Sequence, residues 1–366
     1  MKVFFFFDDF SGQGPVWLNV MWPHFNTVSE SADATILEKP PIPQPNRSRL
    51  TFRWNDWRQT RVLGKGIRKR VLRDLDPNGP NVLLVGSLNP RDVRWSAVLH
   101  PIWSAFSHRV LLVDDVFQPR RISPKLLSRF DRITCFCRDL ADEFERASGV
   151  PTLYWPAHTD VLNFHSTSDH RPIDLIVVGR RNWRLHGPLH HHFNAPERQR
   201  IFLDFVTRTK MKLSCENEFR LLMATYSRSK AAFCFEPSDL SRFEGRSPMT
   251  SRWIHAWSSG CTVFGKRPTG SGVKGQMDWP ESTIDLPDSP MAAIRLVEDT
   301  LCDEDAMRRR RKRNVIEAIQ RHDTRHRLRD LFSNLNLPLP AQLQDGLAKL
   351  THRAEELSAG GGHDQA

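Results

Sequence analysis

Apolar residues recur along this chain in two series of short continuous runs, separated by segments with helical spacing. From Asn81 the first series reads NVLLVGS, RWSAVLHPIWSAF, HRVLLVDD, SPKLLSRF, DRITCFC, DLADEFERASG and PTLYWPAH. Apolar runs of strand length alternating with amphipathic helices predict a parallel sheet covered on both faces. The second series begins with PIDLIVVG, followed by a predicted helix PERQRIFLDFVTRTK, a short strand MKLSC and the helix NEFRLLMATYSRSK. It closes with strand AAFCF, helix TSRWIHAW and strand CTVF. The expected class is α/β with two Rossmann-like domains. MKVFFFF adds a buried strand, because Asp8 and Asp9 end its apolar stretch too early for a secretory signal. Between Ser29 and Asn46 the pattern weakens into a Pro-rich excursion, and Arg53 to Asp74 resumes helical spacing with many cations. PMAAIRLVEDTLCDEDAMRRRRKRNVIEAIQRH and HDTRHRLRDLF predict long terminal helices before a disordered tail, SAGGGHDQA.

In open parallel sheets, ligands bind at the carboxyl ends of the strands. The first series places Gly86 with Ser87, Asp114 with Asp115, and His158 with Asp160 at such ends, and Gly12 and Gly14 follow the first strand. Asp114 or Asp115 suits a general base toward a hydroxyl; a helix cap is the plainer role for the same residues. In the second series, Thr250 or Ser251 is the kind of residue that caps a helix, which puts Arg252 in the first turn. Backbone N–H groups and the helix dipole there favour an anion, so a cation at that place calls for a negative ligand or a carboxylate such as Glu244. Past the strand PIDLIVVG, the run Gly179, Arg180, Arg181 adds two planar cations that can donate in pairs to phosphate.

Composition narrows the choice. The chain has 366 residues, enough for about two domains, and 39% hydrophobic content with 22 Phe excludes a disordered chain. A net charge of +11 implies an acidic partner: phosphates, nucleic acid or an anionic membrane face. RRRRKR at Arg308 to Arg313 reads as a solvated helix face, with anionic membrane contact as the alternative. The six cysteines show neither a disulfide framework nor zinc spacing; buried reduced thiols favour a cytoplasmic location. No stretch reaches the length of a membrane span. GKGIRKR lacks the P-loop pattern, and His186, His190, His191 and His192 stand in a predicted loop without matching carboxylates, so no metal site is expected. No helix-turn-helix, zinc-finger or RNA-platform signature supports nucleic-acid binding.

The order apolar strand, Glu236-Pro-Ser238, loop, Ser/Thr-x-Arg252, helix, Ser258-Ser259-Gly260, apolar strand resembles the donor-binding segment of GT-B glycosyltransferases. It is closest to the group 1 type and its spore-maturation-like relatives, with similarity to the exostosin type. LYWPAHTDVLNF resembles the passage that crosses between the two domains of such enzymes. The resemblance implies two domains facing a cleft. They would be an acceptor-binding domain over 1–165, a nucleotide-sugar-binding domain over 166–335, and a helix with tail over 336–366 that crosses back. It implies sugar transfer from a nucleotide-diphosphate donor to a glycan, lipid or protein, with no cofactor or metal. The donor would be held by Gly179, Arg180, Arg181, Glu236, Ser238, Thr250, Ser251, Arg252 and His255. The Gly-rich stretch KRPTGSGVKGQMDWPES would close over it. Where group 1 enzymes carry a Glu that grips the donor ribose, this chain has His255, which can donate or accept one bond but is no anionic acceptor pair. The alternative is therefore a degenerate GT-B protein that binds a glycan or partner without catalysis; a nucleic-acid-binding protein is the weaker one. The expected location is cytoplasmic, with peripheral contact at the inner membrane face left open.

Overall fold

The computed structural model describes residues 1–7, 16–38, 64–115, 118–205 and 213–359. The turn with Gly12 and Gly14, the prolines from Pro40 to Pro45, the spacing from Arg53 to residue 63 and the tail from Gly360 lie outside them. Contacts divide the chain into two compact units. The first comprises Met1–Gly12, Val28–Pro156 and Phe332–Gln342; the second comprises Gln13–Thr27, Ala157–Leu331 and Leu343–Ala366. These bounds differ from those expected at 165 and 335, since three segments of sequence build each unit.

In chain order the first series gives β1 (Lys2–Phe7), α1 (Val16–Ser31), β2 (Ala34–Glu38), α2 (residues 64–74), β3 (Asn81–Ser87) and α3 (Pro90–Trp95). It continues with β4 (His108–Val113), α4 (Pro124–Leu127), β5 (Arg132–Cys135), α5 (Arg138–Ser148), β6 (Thr152–Tyr154) and α6 (Val161–Phe164). The sheet order is β2-β1-β3-β4-β5-β6, parallel throughout. Every residue of β3 is buried, as a strand covered on both faces requires. β2 arises inside the stretch expected to be an excursion, because Ala34 to Glu38 pair with Val3 to Phe7 and bury Leu37. The predicted helix over RWSAVLHPIWSAF is instead α3 followed by a kinked 3-10 segment containing Pro101, which lacks an N–H to continue an α-helix.

The second series gives β7 (Ile173–Val178), α7 (Trp183–Phe193), β8 (Phe202–Phe205), α8 (Cys215–Ser227), β9 (Ser229–Phe235), α9 (Ser251–Ser258), β10 (Thr262–Lys266) and β11 (Ile284–Asp285). Four helices follow: α10 (Pro290–Cys302), α11 (Glu304–Arg321), α12 (Thr324–Asn334) and α13 (Ala341–Ala359). The sheet order is β11-β10-β9-β7-β8, again parallel. Along β7, Ile176 and Val178 join the core around Trp253 and Trp257, while Leu175 and Val177 join the core around Phe233 and Val297. This alternation shows a sheet with apolar layers on both sides.

Two expectations in this unit fail. PERQRIFLDFVTRTK is not a helix: Phe202 to Phe205 form β8, and Cys215 of the predicted strand MKLSC begins α8. The histidine-rich stretch is not a loop but α7, because Leu185, Leu189 and Phe193 recur every four residues and bury together. Among the described residues no helix is long and apolar enough to cross a membrane.

Candidate functional site

β7 and β9 are neighbours in the second sheet although β8 lies between them in sequence, so the winding reverses here. Such a reversal leaves a crevice beyond the strand ends, the usual ligand position in open parallel sheets. β7 ends into Gly179 and Arg180, and β9 ends into Glu236. Arg180 Nη1 donates to the Phe235 carbonyl at 2.8 Å, joining the two ends across the reversal. Its guanidinium lies 5.6 Å above the Phe243 ring.

Gly179 has φ +72°, in the left-handed region. A Cβ there would stand 3.4 Å from Nη2 of Arg252, so the Arg252 guanidinium rests on bare backbone. Arg252 occupies the first turn of α9, whose cap is Thr250 in extended conformation, as expected. Among the described residues, the Thr250 hydroxyl makes no capping bond and is buried without a partner, and so is Nη1 of Arg252. Among the described residues, no carboxylate stands within ion-pair distance of Arg252; Glu244 pairs with Arg246 at 3.1 Å. Burial pushes the Arg252 guanidinium below its usual range, and Arg242 adds to this. Its neighbours Cys234 and Tyr226 supply no anion, since burial raises the thiol to about 12 and the phenol well above its ordinary value.

Burial, then Arg252 and Arg242, bring Arg180 down to about 9 against the pull of Glu236, which leaves it charged at neutral pH. Three guanidinium groups therefore share one corner. Glu236 does not neutralise them directly. Its carboxylate accepts from the Ser238 amide at 2.8 Å, the Ser238 hydroxyl at 2.6 Å and the Ser247 hydroxyl at 2.7 Å. Burial raises the Glu236 pKa, but these bonds outweigh it and hold the group below the usual range. Glu236 thus ties down the loop that carries Arg242. The Ser247 hydroxyl also accepts from Thr269 N–H at 3.1 Å, and the Ser247 carbonyl from Gly270 N–H at 2.8 Å. The Gly-rich stretch expected to close over a ligand is fastened here, with Val273, Met277 and Trp279 in the core.

Other expected residues fall elsewhere. Arg181 turns to Asp204, with Nε 3.0 Å from Oδ2, and stacks 5.6 Å from exposed Trp183. Ser251 opens α9 beside Arg252. His255 is buried deeper in α9, 5.3 Å from the Phe219 ring, and burial holds its imidazole down to about 3. Asp114 and Asp115 follow β4 in the first unit, where Asp114 N–H donates to Ser87 O at 3.0 Å. Asp160 caps α6 and pairs with Arg325 at 3.0 Å, so it is structural. The α7 histidines are spread over separate partners, His186 on Asp204 and His192 on Glu298. In RRRRKR, Arg310 pairs with Glu281, Arg311 with Asp169 and Arg313 with Glu317, leaving Arg308 and Arg309 exposed. Sequence reading missed Arg242 and Phe243; an Arg in a polar loop looks like any solvated cation.

No protein-family model matches the sequence, and no curated protein does. Solved structures do. Anabaena HepE, solved with UDP and glucose, matches with a TM-score of 0.53 and 12% identity over 92% of this chain and 99% of its own. An alpha-glucosyltransferase solved with UDP-glucose and DNA matches at 0.56 and 12% over 92% and 99%. The N-terminal domain of Candida albicans trehalose-6-phosphate phosphatase matches at 0.54 and 8% over 92% and 96%. The fold is of the GT-B type. Within this GT-B chain, the three-arginine corner lies at the winding reversal of the second Rossmann-like unit.

Proposed function

We propose that this chain is a glycosyltransferase of the group 1, spore-maturation-like type, which takes a sugar from a nucleotide-diphosphate donor. The observation that carries the reading is half-buried Arg252, whose Nη1 is sheltered from water without a partner among the described residues, beside Arg180 at the strand ends. Buried charge without a counterion is unfavourable, and a diphosphate supplies the missing anion. Two structural neighbours were solved with UDP and with UDP-glucose, which supports the donor class.

Breaking the bond between sugar and phosphate leaves negative charge on the departing diphosphate. Arg180, Arg252 and the first-turn N–H groups of α9 would stabilise that charge, so the arginines serve where a metal otherwise would. Thr250 and Ser251 open the helix that carries Arg252, and Ser238 holds Glu236, so these residues would contribute donor contacts in this reading. The acceptor hydroxyl would pass its proton to Asp114 or Asp115 of the first unit.

Burial of His255 favours a second reading, binding without turnover, because no carboxylate stands at that position to grip a ribose. A thermal-shift screen with UDP, GDP, CDP and dTDP sugars tests the first step. We expect one nucleotide class to raise the melting temperature, and no response to any of them removes the proposal. Stabilisation without sugar release, with or without added acceptors, selects the second reading.

A further inference from the structure

The loop between β9 and α9 is tied at its base and carries a buried ring. The Glu236 carboxylate accepts from the Ser238 and Ser247 hydroxyls, near the two ends of the loop. Between them Ser241–Phe243 form a 3-10 turn, and the Phe243 N–H donates to the Leu240 carbonyl at 2.8 Å. Glu244 and Gly245 follow at φ +50° and +77°, which turns the chain back until the Arg246 N–H reaches the Phe243 carbonyl at 2.9 Å. Left-handed backbone is unfavourable for Glu, so the surroundings must hold this turn. Phe243 is 1% exposed, while Arg242 and Glu244 on either side of it are exposed. It belongs neither to the apolar layer around Trp253 nor to the one around Phe233.

Its ring meets cations. The Arg242 guanidinium carbon lies 4.7 Å from the ring centroid and that of Arg180 lies 5.6 Å from it. A phenyl face carries negative potential, and its attraction for a cation grows as water is withdrawn. Arg180 is half-buried, so the ring makes up part of the hydration that it has lost. Its bond from Nη1 to the Phe235 carbonyl leaves the guanidinium able to pivot, and a second contact over a fixed ring removes that freedom. We propose that Phe243 is a positioning residue: its π face holds Arg180 and Arg242 in place for an anionic group, so affinity at this corner follows the electron density of the ring. Only the identity of that group, a nucleotide diphosphate, rests on the sugar-transfer reading.

The test replaces Phe243 in the full chain by 4-fluoro-, 3,5-difluoro- and 3,4,5-trifluorophenylalanine, introduced at an amber codon. Fluorine draws charge from the face of the ring and hardly changes its shape, so packing is kept while the attraction for a cation declines. Calorimetry with UDP, GDP and inorganic pyrophosphate should show affinity falling stepwise along the series, by about fivefold or more in all. Phe243→Leu, apolar but without a π face, should weaken the same ligand at least as much. Urea unfolding without ligand should follow the series in the unaltered chain and stay flat in an Arg180→Gln/Arg242→Gln variant. Affinity that is constant along the series overturns the proposal and leaves the donor reading standing. A slope in unfolding that persists undiminished in the double variant also overturns it, because the ring then acts through packing. If pyrophosphate binds with the expected slope and neither nucleotide does, the donor reading falls and the role of Phe243 remains. If none of the three binds, the unfolding series alone decides: a slope abolished in the double variant upholds the ring contact, and a flat series removes it.

Discussion

Arg325 and Arg252 are both sheltered cations of the second unit, and each passes over a glycine, yet they differ in what balances the charge. Arg325 reaches Asp160 and Asp323 at 3.0 Å, with all three side chains almost fully buried. Burial alone would lower its pKa, but Asp323 and Asp160 outweigh that and hold it above its ordinary value. Gly346 of α13 makes room for it: a Cβ there would come within 2.6 Å of Arg325 Cδ. Arg252 has no such carboxylates, and its pKa moves the opposite way. The first arginine is balanced within the fold, and the second is the one our proposal gives to an anionic ligand.

The same substitution at both places should break or sharpen this contrast. Arg325→Leu strands two buried carboxylates and should cost about 3–5 kcal/mol in urea unfolding; a cost below about 1 kcal/mol would dissolve the contrast. Arg252→Leu keeps the apolar stem and removes an unbalanced charge. It should leave unfolding without ligand unchanged or slightly more costly, while nucleoside-diphosphate binding weakens by about 1.5–3 kcal/mol in calorimetry. Gly179→Ala should lose about 1 kcal/mol of stability from its left-handed backbone. It should also weaken the same nucleotide a few-fold, since the new methyl takes up the space beside the Arg252 guanidinium, 3.4 Å from Nη2.

The smallest effect concerns His255, one helical turn beyond Arg252. An imidazole, unlike a guanidinium, can shed its proton, and burial holds His255 near 3 against an ordinary value of 6.5. The unfolded chain therefore binds the extra proton as pH falls through 6.5, and stability is lost from there toward 3. His158 and His322 act in the same direction. Replacing His255 by Phe should remove about 0.7 kcal/mol of the stability lost between pH 7 and 6, read from denaturation at the two values.

The parallel sheets were legible because strands buried on both faces leave continuous apolar runs, as in NVLLVGS and PIDLIVVG. PERQRIFLDFVTRTK was not, since Ile201, Phe202 and Phe205 also fit a helical period. The strand wins through distant partners: β7 pairs with it, and the Asn194 side chain bonds both the N–H and the carbonyl of Phe202 at 2.8 and 3.0 Å. In the corner, Arg180 and Arg252 could be found because each follows a recognisable strand or cap. Arg242 could not, because its place depends on Ser238 and Ser247 folding the loop around Glu236.

The last helix has a practical consequence for dissecting this protein. Leu350 and Ala354 of α13 sit in the same apolar layer as Trp257, and Trp22 of α1 packs against that layer. A gene fragment spanning only 157–331 would omit both, and its product would expose tryptophan and leucine surface to water. Expression of the second unit alone therefore calls for rejoining three stretches of coding sequence, not for a single pair of cuts.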